Sequence, residues 1–155
     1  MRFSSREDIE APIEHVFEAA TDFDGFERQA LRRGAEVQRN DTYGKPGVGS
    51  EWRLKFPFRG KQRKVYARMI KFEAPNGFEA ETETGGLEGL VTLELVALSP
   101  RRTRLQVSID LKARTLAGRL LVQSLKFARG NLNKRFSTRI WQFAQGIETK
   151  FNKQA

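Results

Sequence analysis

Side chains suited to covalent or metal chemistry are scarce in this chain. Its 155 residues include no cysteine and a single histidine, His15. Disulfides, thiolate metal sites and cysteine nucleophiles are therefore excluded, and neither a histidine-rich metal site nor a Ser-His nucleophile is expected. His15 lies beside the apolar stripe of its predicted helix and has no evident catalytic partner, so we expect an ordinary solvated histidine.

The carboxylates do not form an evident catalytic pair. Glu79, Glu81 and Glu83 alternate with apolar residues and threonines, which places all three on the solvated face of a predicted strand. The glycines of residues 44–49 lack the lysine and the following helix of a phosphate-binding loop. We therefore predict no catalytic residues, no cofactor and no metal. Whether the protein is an enzyme stays open at this point.

One arginine, Arg129, lies at a position from which its side chain could contact a ligand. Residues 115–152 contain no proline and repeat apolar residues at helical spacing, which predicts one long helix. On its helical wheel, Arg129 lies about 40° from Leu125 and about 20° from Phe136, inside the apolar stripe. A buried guanidinium keeps its charge and rarely lacks a partner. Arg129 either holds a carboxylate, phosphate or carbonyl of a ligand, or pairs with a sheet carboxylate such as Glu51, or extends to the rim.

The other elements follow from turns and alternation. Residues 3–9 predict a first strand, and Pro12 and the pair Thr21-Asp22 mark the starts of two short helices. Between residues 35 and 113, apolar and polar residues alternate in segments separated by short turns that contain Gly or Pro. This pattern is typical of an antiparallel sheet with one buried and one solvated face.

The phase of the strand over residues 62–72 is ambiguous. One alternative turns Val65, Ala67 and Met69 towards the interior. The other turns a set with two polar members inward: Tyr66, Arg68, Ile70 and Phe72. Both alternatives stay open.

The predicted architecture is α+β, a single domain over residues 1–155. A curved antiparallel sheet of six or seven strands grips a long C-terminal helix, with two short helices after the first strand. Such a sheet can enclose an elongated apolar hollow, a usual place for small-molecule binding. The predicted ligand-binding residues lie on the inward strand faces and on the helix: Trp52, Leu54, Phe56, Phe78, Thr82, Val91, Leu93, Val107, Ile109, Leu121, Leu125 and Arg129.

Positive charge is concentrated at one end of the chain. Residues 112–155 hold 10 basic residues and one acid, Glu148, whereas residues 1–111 are neutral overall, so the formal +9 lies in the C-terminal segment. The excess either marks a surface for anionic lipid or nucleic acid, or is a solvated helix face. Aromatic residues among these basic ones are few, chiefly Phe127 and Trp141, so nucleic-acid binding is not expected.

Targeting signals are not evident in the sequence. No apolar run approaches the ~18 residues that a membrane-spanning helix needs. The first residues lack the apolar segment of a signal peptide. We therefore expect a cytoplasmic protein.

The order of elements resembles the START-like (SRPBCC) superfamily, whose helix-grip fold is shared by the birch-pollen allergen, START lipid-transfer domains, aromatic polyketide cyclases and coenzyme Q-binding proteins. The resemblance covers essentially the whole chain. Its local motifs are IEAPIEHVF at residues 9–17, TDF at 21–23, GVGSEW at 47–52, and the hairpin positions 75–78 and 103–105. Phe26 departs from the pattern, because many relatives have Trp after the second helix.

This resemblance implies binding or transport of a hydrophobic small molecule, such as a lipid, quinone or polyketide, in an internal cavity between the sheet and the C-terminal helix. The alternative is a polyketide cyclase/dehydrase-like enzyme that uses the cavity as its active site. A second alternative is docking of the basic C-terminal helix on an anionic membrane surface. The sequence does not define the ligand or the oligomeric state.

Overall fold

Seven antiparallel strands form one sheet in the computed structural model, which describes residues 1–154 and so leaves Ala155, the last residue of the predicted domain, outside it. The strands are β1 Arg2–Ile9, β2 Glu36–Asn40, β3 Glu51–Phe58, β4 Lys61–Glu73, β5 Gly77–Thr84, β6 Leu87–Ser99 and β7 Arg102–Ala113. Their order across the sheet is β1-β7-β6-β5-β4-β3-β2. The predicted antiparallel sheet of six or seven strands is confirmed.

The helices are α1 Ile13–Ala20, α2 Phe23–Arg32, α3 Leu116–Phe127 and α4 Arg129–Gln154. The two short helices after the first strand are confirmed, and Asp22 caps α2 by accepting a hydrogen bond from the Gly25 N–H at 3.1 Å. The single helix predicted over residues 115–152 is instead two helices, α3 and α4, separated at Ala128. The residues after this break include Gly130 and two asparagines, which are poor helix formers.

The inner face of the sheet is the one that packs against α1 and α4. Leu93, Leu95 and Leu105 lie on it and share a buried cluster with Val16 of α1 and Ile147 of α4. A second cluster on the same face contains Trp52, Met69 and Ala80, and Phe23 of α2 packs against it. Phe72 and Phe78 contact both clusters. The apolar core therefore occupies one region of the inner face rather than all of it.

A bulge in β4 resolves the ambiguous strand phase. Val65 pairs with Leu54 and Ala67 with Trp52, so Val65, Ala67 and Met69 face inward. The register then shifts between Met69 and Lys71, which also turns Phe72 inward. The first alternative is therefore correct for Val65, Ala67 and Met69, and the second is correct only for Phe72. Tyr66 and Arg68 lie on the outer face.

Arginine–carboxylate ion pairs are present at both edges of the sheet. At the β1 edge, the Arg104 guanidinium donates to both oxygens of Asp8, at 2.9 and 3.2 Å. This hydrogen bonding holds the pKa of the Asp8 carboxyl below its ordinary value. At the β2 edge, Arg39 contacts three carboxylates: Asp24 at 2.7 Å, Glu27 at 3.2 Å and Asp41 at 3.3 Å. The Arg39 contacts tie α2 to the end of β2.

Candidate functional site

Away from the core clusters, the inner face of the sheet is not filled. Leu93 and Leu105 in the core are only 6% and 0% exposed. Other apolar side chains of the inner face and of α3 are only half-buried: Leu54, Phe56, Val65, Val91, Ile109, Leu111, Leu121 and Leu125. Apolar side chains that face inward yet stay accessible to solvent indicate space beside them.

A hollow of about 910 Å³ opens along four strands, β2 to β5. Its walls include Leu31 and a row of inward-facing residues, Val37, Leu54, Val65 and Thr84, flanked by polar residues of the same strands. The flanking residues, among them Arg53, Tyr66 and Glu83, belong to the outer face, so the lining is drawn from both faces of the sheet. The volume of the hollow suits a small organic ligand.

This hollow is distinct from the cavity predicted between the sheet and the C-terminal helix, which stays a prediction. The described lining residues of the hollow come from α2 and the strands. α3 contacts β6 and β7, and its Ser124 accepts a hydrogen bond from Arg59 in the β3–β4 turn. Leu121 and Leu125, the predicted ligand contacts on α3, are half-buried but do not line this hollow.

The predicted ligand residues on the strands separate into three groups. Trp52 and Leu93 are buried members of the core clusters, and Phe78 and Val107 pack against those clusters. Leu54 lines the hollow and also packs against the Trp52 cluster. The remaining four face inward and are half-buried without lining it: Phe56, Thr82, Val91 and Ile109.

Gly89 keeps the space beside Thr82 open. The two residues are paired across β5 and β6 on the inner face. A Cβ atom at Gly89 would collide with the Thr82 hydroxyl and come within 3.3 Å of the Leu111 side chain. This glycine therefore permits a close approach between neighbouring inward side chains.

Arg129 is exposed and is the first residue of α4. The helical wheel that placed it in the apolar stripe assumed one uninterrupted helix, but the chain leaves the helical path at Ala128. The proposed pairing with Glu51 is wrong, because Glu51 lies on the outer face and accepts a hydrogen bond from the Tyr66 hydroxyl at 2.7 Å. A contact between Arg129 and a ligand stays a prediction.

Arg63 is an inward cation that no prediction from the sequence named, and it lies beside the hollow without lining it. It pairs with Phe56 across β3 and β4, and it lies on the same face as Val65, two residues further along β4. Arg63 is half-buried, and its Nε is shielded from solvent without a hydrogen-bond partner among residues 1–154. The signal was present in the sequence, because the strand phase with Val65 inward also turns Arg63 inward.

The acidic and phenolic groups gather on the opposite face. Glu79, Glu81 and Glu83 lie on the outer face, as their alternation with buried Ala80 predicted. The hydrogen bond to Glu51 raises the pKa of the Tyr66 hydroxyl. Tyr66 and Glu83 nevertheless line the hollow, whereas Glu79 and Glu81 do not.

His15 is half-buried rather than solvated. Its ring lies 4.9 Å from the Phe151 ring of α4, and its Nε2 has no hydrogen-bond partner within residues 1–154. The expectation of a solvated side chain was wrong because the C-terminal end of α4 covers this part of α1.

Across the described chain, no three His, Asp or Glu side chains are grouped so as to hold a metal ion. Nor does any helix within residues 1–154 combine the length and apolarity needed to cross a membrane.

Comparison with known proteins gives likeness in structure but not in sequence. No protein-family model matches the chain, and no curated protein matches it in sequence. The Zhui aromatase/cyclase from Streptomyces sp. R1128 has a TM-score of 0.66 at 14% identity, with 97% of this chain and 95% of that chain covered. A START superfamily protein from Mycobacterium smegmatis has a TM-score of 0.59 at 16% identity, with 91% and 97% covered. Ara h 8.0201 has a TM-score of 0.58 at 16% identity, with 92% and 98% covered.

Proposed function

Because this chain has the START-like (SRPBCC) helix-grip fold, we propose that it binds or transports a hydrophobic small molecule in the hollow along strands β2 to β5. The observation that carries the proposal is the set of inward apolar side chains left half-buried around that hollow. A ligand would cover them. Each 100 Å² of apolar ligand surface removed from water favours binding by about 2.5 kcal/mol.

The unpartnered guanidinium of Arg63 favours a ligand with a polar or acidic end. Its Nε is withdrawn from water without an acceptor, which is costly for a charged donor. None of the ion pairs among residues 1–154 involves Arg63. A carboxylate, phosphate or carbonyl oxygen of the ligand would satisfy this donor while the apolar part lies along Leu54 and Val65.

A cyclase/dehydrase-like enzyme is the second proposal. The observation that favours it is the same hollow, which would fold a reactive chain by its shape while Arg63 polarises a carbonyl. The similar Zhui protein is an aromatase/cyclase. An acid–base pair on the inner face is missing from this proposal, since Glu79, Glu81 and Glu83 lie on the outer face. Binding without turnover therefore ranks first.

An anionic membrane surface is a third element of the proposal. The basic excess of residues 112–155 would attract this end of the chain to anionic lipid at low salt. A carrier that loads or delivers a hydrophobic ligand would use such contact.

The first test is native mass spectrometry of protein purified without detergent, followed by solvent extraction. A discrete added mass that extraction releases would identify the ligand class.

The matched test fills the hollow by Val65→Trp and uses Val96→Trp, at an exposed outer-face position, as control. With Nile red as a neutral apolar probe, we expect Val65→Trp to weaken binding about tenfold or more. Equal binding by both folded variants would refute binding in this hollow.

A further inference from the structure

Helix α3 is apolar on two opposite faces. Its inner face carries Gly118, which is buried, and Leu121 and Leu125, which are half-buried. Its outer face carries three large apolar side chains with little cover: Leu116 is 73% exposed, Leu120 65% and Phe127 93%. At 100° per residue these three fall within about 40° of one another on the helix. They form an apolar ridge, named here the α3 ridge, which Gln123 interrupts between Leu120 and Phe127.

The tip of the β3–β4 hairpin lies next to α3. Arg59 has a left-handed φ of 51° in the turn between Phe58 and Gly60, and its Nη1 donates to the Ser124 hydroxyl at 3.4 Å. Phe58 is itself 45% exposed. A further large apolar side chain therefore stands at the same end of the molecule as the α3 ridge.

Basic residues flank the α3 ridge. Arg119 and Lys126 are exposed on α3, about 60–80° around the helix from Leu116. Arg129 follows directly at the start of α4, and Arg59 stands at the hairpin tip. Acidic residues are absent from the described part of the segment 112–147. A second copy of this chain would bring the same positive charge to the ridge, so the charge disfavours self-association as the reason for it.

We propose that the α3 ridge docks on an anionic lipid bilayer. Leu116, Leu120 and Phe127 insert at the boundary between headgroups and acyl chains, while Arg119 and Lys126 contact lipid phosphates. This arrangement differs from docking through the basic surface of the long helix, because apolar insertion contributes alongside charge. The proposal rests on the membrane contact in the proposed function and deepens it by naming the residues that insert, and it does not depend on ligand binding.

Vesicle sedimentation of the full chain tests the proposal. We would compare neutral phosphatidylcholine vesicles with vesicles containing 30 mol% phosphatidylserine, at low and at high salt. The ridge variant is Leu116→Ser, Leu120→Ser and Phe127→Ser together, which leaves every charge in place. The control variant is Val96→Ser with Leu98→Ser, at two other exposed apolar positions.

The wild type is expected to bind anionic vesicles and not neutral ones, and the ridge variant to bind at least about tenfold more weakly than the control variant. Unchanged binding by the ridge variant, or binding of the wild type to neither vesicle, would overturn the proposal. So would a ridge-dependent dimer in sedimentation velocity, or preferential ridge-dependent binding to an oligonucleotide.

Two further measurements separate docking from folding and from ligand binding. The ridge variant should melt within a few degrees of the wild type and bind Nile red as the wild type does. Phe127→Trp supplies a second test, since insertion shifts its fluorescence to shorter wavelength on anionic vesicles. No shift relative to the parent protein would contradict insertion of this residue even if sedimentation persists.

Discussion

Arg63 and Arg129 differ in what surrounds each guanidinium. Arg63 is half-buried on the inner face, next to the row of residues that lines the hollow, and its Nε lacks an acceptor among residues 1–154. Arg129 is exposed at the first turn of α4, where water can solvate it. A charged donor withdrawn from water gains more from a ligand oxygen than an exposed one does. The difference between the two sites can be measured directly.

Substitution of each arginine by methionine should separate their roles. Arg63→Met is expected to weaken binding of the sulfonate probe anilinonaphthalene sulfonate about tenfold, and to change Nile red affinity less than about twofold. Arg129→Met, which loses the same charge, should change neither affinity by more than about twofold. Fluorescence titration of the three proteins provides the measurement. Equal losses for both probes, or a larger loss in Arg129→Met, would show that Arg63 does not select acidic ligands.

At the scale of elements, the first turn of α3 packs directly against the β5–β6 turn. Thr115 caps the helix by accepting a hydrogen bond from the Gly118 N–H at 3.0 Å. A Cβ atom at Gly118 would collide with the carbonyl oxygen of Gly86. This end of α3 is therefore fixed, and any relative movement of α3 and α4 is concentrated at Ala128, where the helix is interrupted.

Two glycine-to-alanine changes test this packing. Gly118→Ala should lower the free energy of unfolding by about 1–3 kcal/mol, because the helix must move away from Gly86. Gly146→Ala, in the middle of α4 with open space around the added atom, should raise it by about 0.5–1 kcal/mol through helix propensity. Urea unfolding of both variants gives the comparison. A stabilised Gly118→Ala would mean that α3 does not sit against Gly86 in solution.

Alternation and turn residues were enough to predict an antiparallel sheet of six or seven strands, the two short helices and the inward face of most strands. They did not predict the β4 bulge, because a single inserted residue leaves both local alternation patterns intact. Arg63 was missed because the phase of this strand stayed ambiguous, although the alternative with Val65 inward also turns Arg63 inward. The break at Ala128 was not foreseen because apolar spacing continues on both sides of it. The location of the hollow depends on how α2 and α3 pack, which periodicity does not describe.

At the scale of the whole molecule, an open sheet has two free edges, and here both carry arginine–carboxylate contacts. Asp8 joins β1 to β7 through Arg104, while Arg39 joins β2 to α2 through three carboxylates. Such contacts fix the edge elements in register and deter edge-to-edge association. They also make the stability of the fold sensitive to acid.

The lowered pKa of Asp8 sets the direction of that pH dependence. A carboxyl with a pKa lower in the folded than in the unfolded chain stabilises the fold above its ordinary pKa of about 3.9, and this contribution disappears as the pH falls through the folded value. Asp8→Asn should therefore be less stable than the wild type at pH 7, with the difference shrinking below about pH 4.

Urea unfolding at pH 7, 5 and 3 measures this difference. Asp110→Asn serves as the control, because the nearest Arg2 nitrogen is 3.8 Å from Asp110 and the pair is well exposed, so little change is expected. A constant difference between Asp8→Asn and the wild type at all three pH values would rule out the Asp8 carboxylate as its source.

The core clusters include only part of the row that lines the hollow. Val37 and Leu54 pack against the Trp52 cluster, whereas Val65 and Thr84 are half-buried and belong to neither cluster. Mutations at Val65 and Thr84 can therefore accumulate during evolution at small cost to stability, and natural selection can reshape ligand preference without first finding a compensating change in the core. The same separation makes these two positions a natural target for a combinatorial library, since most of its members should still fold.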